Sequence, residues 1–352
     1  MTDQTGTHPG SPQPPSAPAA AITPEQYAQV VAAIEAEVRK LIVGQDDVVR
    51  TVLVSLLAEG HVLLEGVPGL GKTALLKALS DSLSISFGRI QFTPDLMPAD
   101  VTGTQVLQTD DAGNRSFQFR EGPIFAGLVL ADEINRATPK TQSALLEAMQ
   151  ERSVTVAGAT RPLPRPFLVM ATQNPIEQEG TYPLPEAQLD RFLLKATVEF
   201  PTGDQLHEII NRTTARTLPT IRPVTDAATL RAMIALTREV PAAEHVIRHA
   251  VDLVVATHPD GAGAPQTIKD YVRTGASPRG AQALILGAKA LALLAGRPAA
   301  SCEDVRSLAN QALGHRLVLG YEAAADDVSP RAMIDELLTA IPEPDTGVRG
   351  AP

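Results

Sequence analysis

The sequence predicts an α/β fold, in which a parallel sheet covered by helices is followed by an all-α C-terminal domain. Short apolar runs alternate with segments of helical periodicity over the first part of the chain, which favours a parallel sheet with helices on both faces. A glycine-rich turn joins one such run directly to a helix. After Phe200-Pro201 the pattern becomes helical and rich in Ala, Leu, Arg and Glu. We therefore expect an α/β core over residues 21–201 and a helical domain over residues 202–340.

Net charge, cysteine count and the lengths of apolar runs limit the kinds of protein that this sequence can encode. The 352 residues carry a formal net charge of -10. A protein that neutralises DNA phosphates over a broad face usually has a basic excess, so nucleic acid is disfavoured as the main partner. The single cysteine, Cys302, has no partner for an internal disulfide and is expected to pack as a small apolar side chain. We find neither a secretory leader nor a run of about 18 apolar residues, so we expect no membrane span and a cytoplasmic protein.

The termini and the first two helices are indicated by composition and by helix-end signals. Residues 1–20 and 341–352 offer little to bury, and we expect both segments to be flexible tails. Thr23-Pro24-Glu25 has the N-cap, first-turn proline and acidic first turn of a helix start. The apolar residues predicted to share one face of this helix are Val30, Ile34, Val38 and Leu41. Gly44 interrupts the helix, and a second one is predicted over residues 46–59.

The remaining elements follow in order along the chain. The predicted core strands are 61–65, 89–93, 128–131, 167–172 and 193–198. One helix is predicted to begin at Ala74 and another to span 140–151, and 94–98 is predicted to be a loop. Two hairpins are predicted, with arms 105–107 and 116–119 around an acidic tip, and with arms 153–156 and 160–163. In the helical domain, the low charge of Pro278–Leu294 predicts a central place in a small bundle.

The glycine-rich turn has the spacing of a phosphate-binding loop between a strand and a helix. Its residues are Gly66, Val67, Pro68, Gly69, Leu70, Gly71, Lys72 and Thr73, and Ala74 continues into the helix. The glycines allow backbone N–H groups to approach phosphate oxygens, and the helix N-terminus adds partial positive charge. Lys72 is predicted to reach the β- and γ-phosphates, and Thr73 to offer its hydroxyl to Mg²⁺. A plain glycine-rich turn is the alternative, but strand, loop, Lys-Thr pair and helix together predict a nucleotide site.

Two acids and one amide follow apolar strands of the predicted sheet. Asp132 is predicted to hold Mg²⁺ through water, and Glu133 to orient and deprotonate the attacking water. Because ligands gather at the carboxyl ends of strands in such sheets, the Asn174 amide is predicted to hold the attacking water or the γ-phosphate. The structural alternatives are two surface acids that end a strand, and an Asn-Pro turn.

In their order along the chain, these motifs resemble those of AAA+ ATPases. Val43-Gly44-Gln45 is similar to the adenine-side motif, the loop at Gly66 to Walker A, 128–133 to Walker B and 172–175 to sensor 1. Segments 132–137, 140–151, 184–192 and 275–279 resemble the signature of the MoxR branch, and the likeness extends from about Val30 to Leu338. The resemblance implies an AAA+ P-loop NTPase core with a helical lid, and ATP and Mg²⁺ as cofactors, with Gly44 and Gln45 beside the nucleotide.

The same resemblance implies roles for three arginines. Arg191 is similar to the arginine finger, which reaches the γ-phosphate held by a neighbouring subunit, and Arg279 to sensor 2, which couples the lid to the nucleotide. Arg136 is a third cation near the site and a second candidate finger. From the residues alone, Arg191 could instead be a surface partner of Asp190. Arg279 could be a helix-start arginine, although a helix N-terminus disfavours cations.

The resemblance also implies a homo-oligomeric ring, expected to be a hexamer, that remodels or matures a client protein. A partner with a von Willebrand factor A domain is implied as a separate polypeptide. The alternatives are a chelatase-type metal-insertion motor subunit, a DNA-associated AAA+ motor, which the acidic charge disfavours, and a non-catalytic nucleotide-gated scaffold.

Two further features allow a functional and a structural interpretation. The two hairpins resemble insertions that line the pore or the top surface in ring-shaped relatives, and passive surface decoration is the alternative. His245 and His249, four residues apart on a predicted helix, have a spacing that could bind zinc. No third ligand is near in sequence, and Glu244 and Arg248 suggest a solvated face instead.

Overall fold

A computed structural model describes residues 22–67, 69–109, 113–174, 180–216 and 219–344. A five-stranded sheet with the spatial order β2-β5-β8-β1-β9 forms its centre. The strands are β1 Val62–Glu65, β2 Phe87–Gln91, β5 Leu128–Asp132, β8 Leu168–Gln173 and β9 Leu194–Thr197. Every neighbouring pair in this sheet is parallel. The carboxyl ends of all the strands therefore lie along one edge, where an α/β sheet binds its ligands.

Near-continuous apolar runs form the inner strands because helices cover both faces of the sheet. Residues 62–64, 128–131 and 168–172 are buried. The helices of this part of the chain are α1 Pro24–Arg39, α2 Asp46–Leu57, α3 Lys72–Leu83, α4 Pro98–Thr102, α5 Pro139–Glu151 and α6 Glu186–Leu189. The α1 helix starts as predicted, because the Thr23 hydroxyl accepts from the Gln26 N–H and Pro24 opens the first turn.

Two antiparallel hairpins leave the sheet. Strand β3 Gly103–Thr109 pairs with β4 Arg115–Glu121, and β6 Ser153–Val156 pairs with β7 Ala159–Pro162. Both hairpins were predicted, but the arms of the first are longer than expected. Its acidic tip, at residues 110–112, lies outside the described residues.

The C-terminal part of the chain is a helical assembly with a small strand pair. Its helices are α7 Gly203–Thr213, α8 Ala227–Glu239, α9 Glu244–Val255, α10 Gln266–Tyr271, α11 Pro278–Leu294, α12 Cys302–Ser307, α13 Ala309–Leu313, α14 Tyr321–Ala325 and α15 Pro330–Ala340. Helix α11 has the predicted bounds and is central, since it packs against α1, α2, α8, α9, α12 and α13. Cys302 is buried in the apolar core of this assembly, as predicted.

Four local predictions were wrong or incomplete. The second strand runs over Phe87–Gln91 rather than 89–93, because Gly88 tolerates the backbone oxygen of Pro123, which would lie 2.2 Å from a Cβ. The predicted loop at 94–98 leads into α4, where the Asp100 carboxylate accepts from the Met97 N–H at 2.9 Å. Helix α2 ends at Leu57, before the positive φ of Glu59. The helical domain also contains β10 Val272–Thr274, paired with β11 Val318–Leu319. None of the helices in the described ranges is long and apolar enough to cross a membrane.

Candidate functional site

A cleft of about 460 Å³ opens at the carboxyl edge of the sheet. It is lined by Gly66, Gly69, Gly71, Lys72, Thr73, Ala74, Arg89, Gln91, Asp132, Glu133, Thr172 and Asn174. We call it the P-loop cleft. The structure therefore brings together the predicted site residues from the ends of β1, β5 and β8 and from the glycine-rich loop. All of these lining residues precede residue 175 and therefore belong to the α/β core.

The loop of the P-loop cleft is shaped as a phosphate cradle. Gly69 and Gly71 have φ angles of 85° and 78°, a region that L side chains rarely adopt. A Cβ built on either glycine would meet no atom within 4 Å. Gly71 is also the N-cap of α3, so the unpaired N–H groups of the first helical turn face the cleft. Pro68, which was predicted to belong to this loop, lies outside the described residues.

Lys72 is the cation of this loop. Its Nζ donates to the Gly66 carbonyl at 2.5 Å. Burial lowers the pKa of Lys72, while the carboxylates of Asp132, Glu133 and Glu65 act in the opposite direction. The ammonium therefore lies in an acidic, half-buried cleft, where an incoming phosphate can replace the backbone carbonyl as its partner.

A threonine that the sequence reasoning missed organises the two acids. The Thr172 hydroxyl donates to Asp132 Oδ1 at 2.8 Å and accepts from the Glu133 N–H at 2.8 Å. Glu133 has a φ of 57°, an unusual conformation for a residue with a side chain and one found at functional sites. Thr172 therefore links the two neighbouring acids through one hydroxyl group.

Two polar residues of β2 complete the acidic side of the cleft. Arg89 donates to Asp132 Oδ2 at 2.8 Å, and Gln91 donates to Glu133 Oε2 at 2.8 Å. Arg136 also donates to Glu133 Oε2, at 2.9 Å, so it lies beside the acid of its own chain. Sequence reasoning missed Arg89 and Gln91. The available signal was their alternation with apolar residues on a strand that pairs, at Gln91, with Asp132.

The two residues predicted to lie on the adenine side, Gly44 and Gln45, are found near the same loop. The Gln45 amide donates to the Leu70 carbonyl at 2.8 Å, while its Oε1 is buried with no partner among the described residues. Gly44 has a φ of 72° and lies against the Gln205 side chain of α7. Asn174 is buried at the cleft wall. An orphaned acceptor beside a phosphate cradle and two acids is a donor and acceptor set that fits a nucleotide with Mg²⁺.

A second cleft, of about 350 Å³, lies at the opposite edge of the sheet. It contains four arginines, Arg152, Arg191, Arg279 and Arg316, with Glu59 and Asp190 as its acids. We call it the arginine cleft. Residues Gly60 and His61, just before β1, also line it, whereas Gly66, just after β1, lines the P-loop cleft. At about 3.3 Å per residue, this strand separates the two clefts by roughly 17 Å.

Both predicted trans-acting or lid-borne arginines lie in the arginine cleft. Arg191 precedes β9 by three residues, and β9 runs parallel to β1 with Leu194 opposite Val62. Arg279 donates to Asp190 Oδ2 at 3.3 Å. Asp190 is therefore not the partner of Arg191, and the guanidinium of Arg191 has no ion pair among the described residues. The structure separates Arg191 and Arg279 from the P-loop of their own chain.

His61 anchors the floor of the arginine cleft. Its Nδ1 accepts from the Val169 N–H at 3.0 Å, so the neutral ring carries its proton on Nε2 and donates it to the Met149 carbonyl at 3.1 Å. Burial lowers the pKa of His61 to about 4. The ring therefore remains neutral at pH 7 and ties β1 to β8 and α5.

The two histidines of α9 differ in burial, because one is buried and the other is exposed. His249 is 2% exposed, so the expectation of a solvated face was wrong for it, while His245 is exposed. No group of three His, Cys, Asp or Glu side chains with metal-binding geometry occurs within the described ranges.

Comparison with known proteins agrees with this geometry. Residues 61–194 match the model of the ATPase family associated with various cellular activities (AAA), and residues 266–337 match that of the AAA lid domain. The chain is 46% identical to Chaperone MoxR1 of Mycobacterium tuberculosis over 88% of this chain and 81% of that protein. It is 32% identical to Protein MoxR of Paracoccus denitrificans over 88% of this chain and 95% of that protein.

A solved structure shares the whole architecture. The crystal structure of a candidate ATPase from Cytophaga hutchinsonii matches with a TM-score of 0.85 and 37% identity, covering 92% of this chain and 97% of that one. With the AAA core and lid models and the MoxR relatives, this match establishes the predicted AAA+ fold with a helical C-terminal lid. The chain is an ATP-hydrolysing enzyme and belongs to the MoxR family of AAA+ ATPases.

Proposed function

We propose that this chain is a ring-forming motor that hydrolyses ATP with Mg²⁺ at a site shared by two adjacent subunits. In one subunit, Lys72 holds the β- and γ-phosphates, and the Thr73 hydroxyl and Asp132 hold the metal. Bound Mg²⁺ supplies charge neutralisation for the phosphates. Glu133 orients the attacking water and accepts its proton, and the Asn174 amide fixes the water or the γ-phosphate. Gly44, Gln45 and the N–H groups around Val67, Leu70 and Ala74 hold the rest of the nucleotide.

The observation that carries this proposal is the separation of the two clefts. Arg191 and Arg279 line a cleft at the amino end of β1, and Lys72 and Glu133 line one at its carboxyl end. A side chain of about 7 Å cannot cover the roughly 17 Å along the strand. Arg191 can therefore meet a phosphate only if the phosphate belongs to another copy of the chain, with Arg279 beside it. Head-to-tail contacts of this kind close into rings, and we propose a hexamer.

We further propose that hydrolysis drives remodelling or maturation of a client protein. Support comes from the name of the 46% identical relative, Chaperone MoxR1. A separate polypeptide with a von Willebrand factor A domain is the proposed partner, by resemblance to the family. The β3–β4 and β6–β7 hairpins, with Leu107 and Phe117 exposed on the first, are the proposed surface that touches the client.

A trapped ring tests the proposal. Glu133→Gln is expected to bind ATP without hydrolysing it, so that the ring stays assembled. Client and partner should then stay attached to it, and they can be identified by mass spectrometry after cross-linking. Lys72→Ala is the matched control, because it is expected not to hold nucleotide. Proteins captured by Glu133→Gln with ATP and absent from the Lys72→Ala sample support a client-remodelling motor. A particle that stays monomeric with ATP in mass photometry would overturn it.

A further inference from the structure

One buried arginine of the lid donates hydrogen bonds to the backbone carbonyls on both sides of Arg191. Arg316 lies between α13 and β11, and its side chain is 2% exposed. Its Nη2 donates to the carbonyls of Asp190 at 3.2 Å and Phe192 at 2.7 Å. Its Nη1 donates to the Leu193 carbonyl at 3.2 Å. A single guanidinium thus binds three of the four carbonyls in residues 190–193, which we call the finger segment.

The side chain of Asp190 is also bound by side chains of the lid. Its Oδ1 accepts from Arg316 Nε at 2.9 Å and from the Ser277 hydroxyl at 2.8 Å, and its Oδ2 accepts from Arg279 at 3.3 Å. All three donors belong to the C-terminal helical part. The carboxylate of the residue just before Arg191 is therefore held by three side chains of the lid.

Arg191 itself differs from its neighbours. Its N–H donates to the Gln188 carbonyl at 3.2 Å, but its guanidinium makes no ion pair within the described parts of the chain. The backbone at this position is held tightly while the charged end is left available. This combination suits a side chain that must reach outward from a fixed point.

We propose that Arg316 is a positioning residue, through which the lid sets the place of the Arg191 guanidinium. The proposal deepens the proposed function and rests on it, because Arg191 acts there in the neighbouring site. Binding the Asp190 carboxylate and three carbonyls at once takes four of the five N–H donors in the planar guanidinium, whereas a lysine ammonium has only three donors and lacks the planar geometry. A shift of the lid would thus move the finger without touching the P-loop of its own chain.

The test compares Arg316→Lys with Arg306→Lys in the full-length chain. Arg306 is a matched control, because it also donates to lid carbonyls, those of Leu338 and Ile341, at 2.7 and 2.8 Å, away from the finger segment. We expect Arg316→Lys to raise hydrogen–deuterium exchange in the peptide over 186–194 and to lower kcat roughly 10²-fold, as expected for a small misplacement. The dissociation constant for ATP should stay within twofold. Arg306→Lys should change neither the exchange nor kcat.

A double-mutant cycle separates positioning from general destabilisation. If Arg316 acts through Arg191, Arg316→Lys should lower kcat no further once Arg191→Ala is present. Asp190→Asn provides a second variant and should reproduce the effect if Arg316→Lys does not fold. Unchanged exchange over 186–194, or kcat losses that multiply in the double variant, would overturn the positioning role. Increased exchange together with full turnover of Arg191→Ala would instead overturn the shared-site function.

Discussion

Lys72 and Arg191 lie at opposite ends of adjacent parallel strands. Lys72 follows the carboxyl end of β1, while Arg191 precedes the amino end of β9, and the pairing of Val62 with Leu194 fixes this relation. Each chain therefore presents the P-loop cleft on one edge and the arginine cleft on the other. In the proposed assembly, two identical chains would complete each other's sites only in a head-to-tail arrangement.

The proposed role of Glu133 as proton acceptor predicts that ATP binding and ATP hydrolysis can be separated. Glu133→Gln removes the proposed proton acceptor but keeps the shape and the hydrogen-bonding oxygen, so turnover should fall by roughly 10²–10⁴-fold. Affinity for ATP should remain, whereas Lys72→Ala should weaken ATP binding itself. Phosphate release and binding of a fluorescent ATP analogue measure the two quantities. Glu147→Gln, an exposed acid of α5, is the control. Turnover of Glu133→Gln within twofold of the unmodified chain would contradict the assignment.

The contact between Arg89 and Asp132 predicts a competition with Mg²⁺. The guanidinium is 2.8 Å from the carboxylate that is proposed to hold the metal, and its side chain is 48% exposed. Removing this competing cation should lower the Mg²⁺ concentration needed for nucleotide binding a few-fold. This corresponds to about 1 kcal/mol for a partly exposed pair. A Mg²⁺ titration of ATP-analogue binding measures the effect in Arg89→Gln, with Arg89→Lys keeping the charge. Equal Mg²⁺ midpoints for the unmodified chain and Arg89→Gln would show that the contact does not compete.

Burial of His61 predicts a loss of stability in acid. Its pKa is lowered to about 4 in the folded chain, against about 6.5 when unfolded. The unfolded chain therefore binds more protons between these values, so stability is full above pH 6.5 and falls as the pH drops towards 4. For His61 the loss between pH 7 and pH 5 is about 2 kcal/mol. Burial also lowers the pKa of His315, with the same sign.

Urea midpoints at pH 7 and pH 5 measure this effect. In His61→Gln the decrease between the two pH values should be smaller than in the unmodified chain, even though its stability at pH 7 is lower. His207→Gln, which changes an exposed histidine of α7, should keep the full decrease. An unchanged decrease in His61→Gln would show that this histidine is not the source.

The sequence predicted the local features of the site and missed its long-range ones. The phosphate loop, the acid pair at the end of β5 and helix α11 are each encoded by consecutive residues. Their signals are the glycine spacing, an apolar run and helix-start residues, respectively. Arg89 and Gln91 act through the register between β2 and β5, which no local pattern shows. Arg316 reaches Asp190 across 126 positions of the chain. Its proposed role depends on how the lid packs on the core. The hydrophobic periodicity of the sequence predicts the helices of the lid but not these contacts.

Mixing two inactive variants tests the central claim most directly. Glu133→Gln lacks the proposed proton acceptor but has an intact Arg191, and Arg191→Ala lacks the proposed finger but has an intact Glu133. Each alone should lose most of its turnover, by roughly 10³–10⁵-fold for the arginine. If sites are shared head to tail, random mixing in equal amounts should create complete sites at about a quarter of the interfaces. ATP hydrolysis should then reappear in the mixture at a comparable fraction of the unmodified rate. A mixture no more active than the sum of its two components would show that Arg191 does not act on a neighbouring subunit.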